Sequence, residues 1–399
     1  MKFVKIFSLC VLASFVTAFK AQENSISKVL KEKRLVIIMF DGFGMSYLKN
    51  ASMPHLKTMI NKGFFKQVEA LMPTVTNLNN ASICCGNLPE KNGITGNSYL
   101  TLENKEEYME DQTLLKSSTI FEKLNKLNIK SALIASKKKS IGLLSRGAEI
   151  ALSPETADSN WIKKLGKPPL IYSPDVNYWT FDAALSILKN KPEIRCAYIH
   201  TTDYPMHMWA PSDSNSTKHL IQIDSYLGKI METAPDAMIM ITADHDVNHK
   251  NKCIDIENSL KKKNVQIKMA ISAERDKYLK HHRGFGGTSF IYLANKADEK
   301  KVKENLLQLK GIEKVLTREE AVKSFSLMPS RIGDLIVLGD SLTVFGNLEN
   351  NTEENLPDNF RTHGSTYEKK VPLIIYNANN LPNESYFKYN YQLTAWLIK

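Results

Sequence analysis

The sequence predicts an α/β protein with a largely parallel sheet, helices on both faces and an inserted α+β cap subdomain. Three observations predict it. Short apolar runs alternate with helical spacing along most of the chain. Polar side chains that bind metals gather where those runs end. The texture changes between about residues 250 and 350, and an apolar run then returns. Strands buried on both faces read as continuous apolar runs, and alternation of strand and helix builds a parallel sheet.

The elements follow in order. Residues 34–40 (RLVIIMF) form an apolar run that ends in Asp-Gly, a buried strand feeding a loop. Residues 54–62 keep helical spacing and stop at Gly63. Residues 117–127 set Ile120, Phe121, Leu124 and Leu127 on one face behind a Ser/Thr cap. Residues 131–135, 196–199 and 237–241 are short apolar strands. Between the last two, Leu220, Ile223, Leu227 and Ile230 mark a helix. The lysine-rich stretch that follows still carries a strand at 289–293 and a helix at 298–309. Residues 371–376 (VPLIIY) rejoin the main sheet. The expected division is a core of 22–249 plus 351–399 and a cap of 250–350.

Bulk composition narrows the function. The 399 residues are 43% hydrophobic and 24% charged, enough for a large core. Lys+Arg is 53 against Asp+Glu 42, a formal net charge of +11, which favours encounter with anionic substrates. No basic run is interleaved with aromatics, so the sequence gives no nucleic-acid stripe. The N-terminus, MKFVKIFSLCVLASFVTAFKAQ, has a basic start, a short apolar run and small residues before Ala21. It reads as a signal peptide over 1–21, too short for a span, and predicts an exported protein, periplasmic or secreted, without stable membrane insertion. Cys84, Cys85, Cys196 and Cys253 lie beyond it with no metal-pair spacing, and read as small packing residues.

Candidate chemistry sits at the strand ends. Asp41 follows VIIMF. Asp203 and His207 follow CAYIHTT. Asp244 and His245 follow MIMITA. His363 lies in RTHGS, just before VPLIIY. Ligands of open α/β sheets collect outside the carboxyl ends of strands. Three Asp and three His delivered there suit two divalent metals, most naturally two Zn²⁺. His200 reads as a core or supporting histidine, and His249, His281 and His282 as surface or cap residues.

These motifs carry a family resemblance. DGFG at Asp41, PTVTN at Thr76, TTDYPMH at Asp203 and His207, TADH at Asp244 and His245, and THG at His363 resemble the alkaline phosphatase superfamily, in its order. More narrowly they resemble its phosphodiesterase/nucleotide pyrophosphatase branch. Within that branch PTVTNLNNAS, GITGNSYL, HHRGFGGTSFIYL and LTREEA…MPSRIGDLIVLGD are most similar to phosphonoacetate hydrolase. The resemblance runs from about residue 34 to about 380. It implies an alkaline-phosphatase-like fold and a bimetallic zinc site. One metal falls to Asp203, His207 and His363. The other falls to Asp41, Asp244 and His245, with Thr76 bridging toward it as nucleophile. Thr74 is the competing hydroxyl, but the family pattern puts the nucleophile in the Thr-Asn pair. Asn97 and two lysines of IASKKKSIG match substrate-binding positions. Lys137 and Lys139 fit the spacing best, with Lys138 between them, and a solvated turn is the other reading of that run.

The implied reaction suits these residue types. A coordinated threonine hydroxyl is activated for attack on phosphorus, and a helix N-terminus at 79–85 would add free N–H groups. C–P cleavage also expels a carbanion, which lysines beside a neighbouring carboxylate would stabilise as charge develops. The expectation is a hydrolase releasing phosphate and acetate from phosphonoacetate, a small anionic organophosphorus substrate. A phosphodiesterase or phosphomonoesterase on the same site is the alternative. A phosphomutase or an inactive exported binding protein is a further one.

Overall fold

The computed structural model describes residues 26–27, 29–277 and 283–398. The expected signal peptide over 1–21, and His281 and His282, lie outside the described residues. Among those described, no helix is long and apolar enough to cross a membrane.

The centre is a seven-stranded sheet. In spatial order its strands are Phe64–Glu69, Lys370–Tyr376, Met238–Thr242, Leu35–Met39, Ile194–His200, Lys130–Ala135 and Ile150–Leu152. The last five pair in parallel. Lys370–Tyr376 runs antiparallel to both of its neighbours. Every residue of Leu35–Met39 is buried, because helices cover both faces, and this is why the strand reads as an unbroken apolar run. The parallel α/β architecture read from the sequence is the one found.

The covering helices start and stop as their sequences dictate. Pro54–Lys62 has proline at its first turn and Gly63 after its last. Ser214–Thr233 is capped by Asp213, whose side chain accepts from Asn215 N at 2.7 Å, and it buries Leu220, Ile223, Leu227 and Ile230. The helix expected over 117–127 is shorter, Ile120–Asn125. Thr119 and Glu122 form a capping box there, so the chain before Thr119 stays outside the helix.

A second sheet is built from residues 269–339. Its antiparallel order is Met269–Ser272, Thr288–Tyr292, Leu335–Gly339, Ile312–Thr317. Helices Ile256–Lys262 and Glu299–Leu307 pack on one face through Leu260, Val302 and Leu306. The other face meets the core near Thr76, with Phe290 and Ile336 in one cluster with Val75 and Leu78. The backbone closes the gap: Gly287 N donates to His363 O at 3.0 Å. A Cβ on Gly287 would stand 2.4 Å from Ser365 Cβ, so only glycine permits the approach. Among the described residues Cys84, Cys85, Cys196 and Cys253 are unpaired and buried.

Candidate active site

The polar residues picked out from the sequence converge at one edge of the central sheet. Asp41, Asp203 with His207, and Asp244 with His245 each follow a parallel strand at its carboxyl end. His363 precedes Lys370–Tyr376, which runs the opposite way and so begins at the same edge. Gly42 makes the turn behind Asp41 with φ +71, and its bare Cα faces Asp203 Cβ, which an added Cβ would meet at 3.1 Å. Gly42 N donates to Asp244 Oδ1 at 3.0 Å, which ties the two loops together.

Three histidines share one orientation. His207 Nδ1 lies 2.7 Å from Arg361 O, His363 Nδ1 2.7 Å from Thr74 O, and His245 Nδ1 3.0 Å from Asp246 O. A carbonyl only accepts, so each Nδ1 carries a proton and Nε2 is the nitrogen left to face a metal. That is the arrangement a metal ligand needs. At His363 burial opposes the charged ring, but Glu274 and Asp203 outweigh it and hold the imidazole well above its ordinary value, so a metal there would displace an Nε2 proton. His200 is the reverse. Asn80 Nδ2 donates to its Nδ1 at 2.9 Å, leaving Nε2–H aimed at Asp41 Oδ2, 3.4 Å away. His200 therefore orients Asp41 and has no lone pair to offer.

Among the described residues, two groups could hold a metal ion: Asp203, His207 and His363, and Asp41, Asp203 and His245. Asp203 stands in both, where the sequence reading gave it to one and Asp244 to the other. Its Oδ2 lies 2.8 Å from His207 Nε2, and its Oδ1 accepts from Lys137 Nζ at 3.3 Å. Asp244 is beside the second group, with Oδ2 3.3 Å from His245 Nε2. The His245 and His363 rings stack at 3.6 Å between centroids, so the two groups adjoin.

The donors fit cations. Among the described residues, Asp41 Oδ1, Asp244 Oδ2 and His363 Nε2 are buried without a hydrogen-bond partner. Nitrogen and oxygen ligands in a tetrahedral shell stand roughly 3.3–3.5 Å apart. Asp244–His245, at 3.3 Å, and Asp41–His245 and Asp203–His363, both at 3.6 Å, are near that spacing. The charges crowd as well. Burial, reinforced by Asp203 and Asp244, lifts the Asp41 carboxyl well above its ordinary range. Burial first, with Asp203 beside it, lifts Asp244 to about 6. A cation would relieve both.

Thr76 is the first residue of the helix Thr76–Cys85, three residues earlier than the helical start expected at 79. The first helical bond runs from Asn79 N to Val75 O, so the amides of residues 76–78 precede the ladder. Thr76 Oγ1 lies 3.4 Å from His245 Nε2. Thr74 is fully engaged instead, its hydroxyl donating to Ser365 O at 2.8 Å and accepting from Gly364 N at 3.0 Å.

The remaining predicted residues each contact a carboxylate. Asn97 is buried, with its amide turned to Glu274. Lys137 and Lys139 point inward, side chains 14% and 12% exposed, while Lys138 faces out. Lys137 reaches Asp203 and Lys139 pairs with Asp276. Burial opposes their charge, but the neighbouring carboxylates outweigh it and hold both ammonium groups above their ordinary values. Sequence reasoning missed Glu274 and Asp276, which sit in ISAERDKY with no pattern to mark them. It also missed Asn80, which accepts from Tyr198 OH at 2.5 Å and so fixes the His200 tautomer.

The sheet-edge site, with a helix N-terminus at a threonine, lies in a fold of the alkaline-phosphatase-like phosphodiesterase class. The chain belongs to the type I phosphodiesterase / nucleotide pyrophosphatase family, whose sequence model matches residues 35–366. It is similar to the phosphonoacetate hydrolase from Sinorhizobium meliloti 1021 solved in complex with phosphonoacetate. The TM-score is 0.83 and the identity 27%, over 92% of this chain and 96% of that one. Murine ectonucleotide pyrophosphatase / phosphodiesterase 5 shares the fold at TM-score 0.64 and 15% identity, over 86% of this chain and 88% of that one. The bis(5'-adenosyl)-triphosphatase enpp4 of Mus musculus is 22% identical over 278 residues, which is 66% of this chain and 58% of that protein. The match thus spans little more than half of that relative. The resemblance read from the motifs is borne out.

Proposed function

We propose that this protein hydrolyses phosphonoacetate to phosphate and acetate through a phospho-threonine at Thr76. The observation that carries the reading is the pair of largely buried lysines, Lys137 against Asp203 and Lys139 against Asp276. The likeness to a phosphonoacetate hydrolase over nearly the whole chain supports it. Bound at the two Asp/His groups, two divalent cations, zinc by the donor set, would lower the pKa of the Thr76 hydroxyl and neutralise phosphoryl charge.

The chain's own residues then divide the work. Thr76 Oγ1 gives up its proton and bonds to phosphorus as the C–P bond breaks, and the bonding pair stays on the acetate carbon. Lys137 and Lys139 face the neighbouring carboxylate as it takes up that charge. Asn97 and the free amides of residues 76–78 bind nonbridging oxygens. The carbanion takes up one proton in turn to give acetate, and water then cleaves the Thr76 ester to release phosphate. The N-terminal segment 1–21 is proposed to direct export. Intact-mass measurement of the exported protein, expected to begin at Gln22, tests that step.

A second reading has its own observation. Beside the lysines lies a groove of about 830 Å³, walled by Tyr108, Ile141 and Tyr172. It favours a bulkier leaving group, as in a phosphodiester. Phosphate and nitrophenolate release by zinc-loaded protein decide between the two. Phosphonoacetate, bis-p-nitrophenyl phosphate, p-nitrophenyl phosphate and methylphosphonate are compared. Preference for phosphonoacetate with methylphosphonate inert is expected. Preference for the diester would pass the site to the second reading.

A further inference from the structure

Residues 273–277 follow the cap strand Met269–Ser272 and enter the site with two carboxylates. The first is Glu274. Its Oε2 lies 3.5 Å from His363 Nε2 and accepts from Asn97 Nδ2 at 3.4 Å. The same amide donates to Glu274 O at 3.3 Å, and Asn97 N donates to Ala273 O at 3.2 Å. Both amide protons that Asn97 would offer a phosphoryl oxygen are therefore given to one residue of the cap. The second carboxylate is Asp276, two residues on, which pairs with Lys139. Both side chains are nearly buried, at 7% and 6% exposure.

Carboxylates are the wrong sign for lining an anion site, yet here one sits on Asn97 and one on Lys139, both assigned to an anion. Glu274 is where a phosphoryl oxygen would go, and Asp276 is where a carboxylate would go. Both come from a single turn of chain, so their separation is fixed as it is in a small molecule with an anion at each end. Resting on the assignment of Asn97 and Lys139 to substrate, we infer that Glu274 and Asp276 occupy the places of the substrate's two anionic ends in the unliganded protein, and that substrate binds by displacing them. The arrangement selects two-ended anions. A ligand with one anionic end displaces only one carboxylate and leaves the other repelling it. It also aids release, since after cleavage each product leaves a site that an internal anion can reclaim.

The test uses zinc-loaded Thr76→Ala protein, which binds without turnover, and calorimetric titration with inorganic phosphate and with phosphonoacetate. Adding Glu274→Gln should tighten both about tenfold, or about 1.4 kcal/mol. Adding Asp276→Asn should tighten phosphonoacetate by a similar factor and leave phosphate unchanged. Metal content and thermal midpoint are read beside each titration. Unchanged or weaker binding of phosphate by the Glu274 variant overturns the inference, as does loss of bound metal, which would make Glu274 a support for the cations. Equal gains on both ligands from Asp276→Asn overturn the end-by-end assignment. Tighter phosphate binding with no phosphonoacetate binding in any variant would retain Glu274's displacement and reject the proposed substrate.

Discussion

Two buried lysine–carboxylate neighbourhoods lie close together and differ in kind. Lys250 and Glu368 are both fully buried and fully used. Lys250 Nζ donates to Glu368 Oε1 at 2.8 Å and to Ser341 O at 3.1 Å. Glu368 Oε2 accepts from Ser365 N and Oγ at 2.9 and 2.6 Å. Burial alone would raise the Glu368 carboxyl, but Lys250 and Ser365 outweigh it and hold it below its ordinary value. Around Lys137 the count fails. Asp41, Asp244, His363 and Asn97 each keep a buried polar atom without a hydrogen-bond partner. A satisfied buried network braces; an unsatisfied one is arranged for something that arrives. The brace holds the His363 loop against the Asp244 loop, since Glu368 O also accepts from Asp246 N at 2.7 Å.

The largest expected effect falls in the unsatisfied region and leaves stability alone. Thr76→Ala should lower turnover about 10⁴-fold or more, with metal content and denaturant midpoint unchanged. A variant that still turns over would remove Thr76 as nucleophile. Lys250→Met reverses the pattern, leaving Glu368 buried and unpaired. It should cost about 3–5 kcal/mol in chemical denaturation. A loss under 1 kcal/mol would mean that water or a rearranged Ser365 replaces the ammonium.

Lys137→Ala and Lys139→Ala should lower phosphonoacetate cleavage about a hundredfold more than aryl diester cleavage, roughly 2.7 kcal/mol of selective stabilisation. Equal losses on both substrates would make the lysines general electrostatics. The smallest effect has an unusual sign. In metal-free protein Asp244 is costly to ionise, so stability falls as pH rises from 3.8 through about 6. Metal-free Asp244→Asn should therefore be more stable than wild type at pH 7, by at most about 3 kcal/mol, and close to it near pH 4. Glu368 runs the other way. Its contribution is complete above the ordinary glutamate value, 4.5, and is lost as pH falls through its lowered folded value. A metal-free Asp244→Asn protein no more stable than wild type would erase the contrast.

Much of this was legible in the sequence where a residue abuts a strand. LVIIM, MIMIT and CAYIH announce a two-sided core, and the Asp and His just beyond them must emerge at one edge. His363 was legible only through its motif, because it precedes its strand and depends on that strand running backward. Asn80, Glu274 and Asp276 were not legible. Their roles depend on tertiary neighbours more than a hundred positions away, Tyr198 and His200 for Asn80 and Lys139 for Asp276. Thr74 against Thr76 was a choice between hydroxyls two residues apart, and only the partners of Thr74 separate them physically.

The backbone seam at Gly287 has a consequence for protein engineering. The second sheet does not sit on the central one as an exchangeable module. Gly287 N donates to His363 O, and Thr288 Oγ1 donates to Gly364 O at 2.5 Å, so the strand Thr288–Tyr292 is stitched to the loop that carries His363. A chimera that grafts a relative's insert at the sequence junctions near 250 and 350 would therefore transplant half of a histidine's support and leave the other half behind. Recombination that keeps 285–289 and 361–368 from the same parent should preserve the site, whatever the rest of the insert becomes.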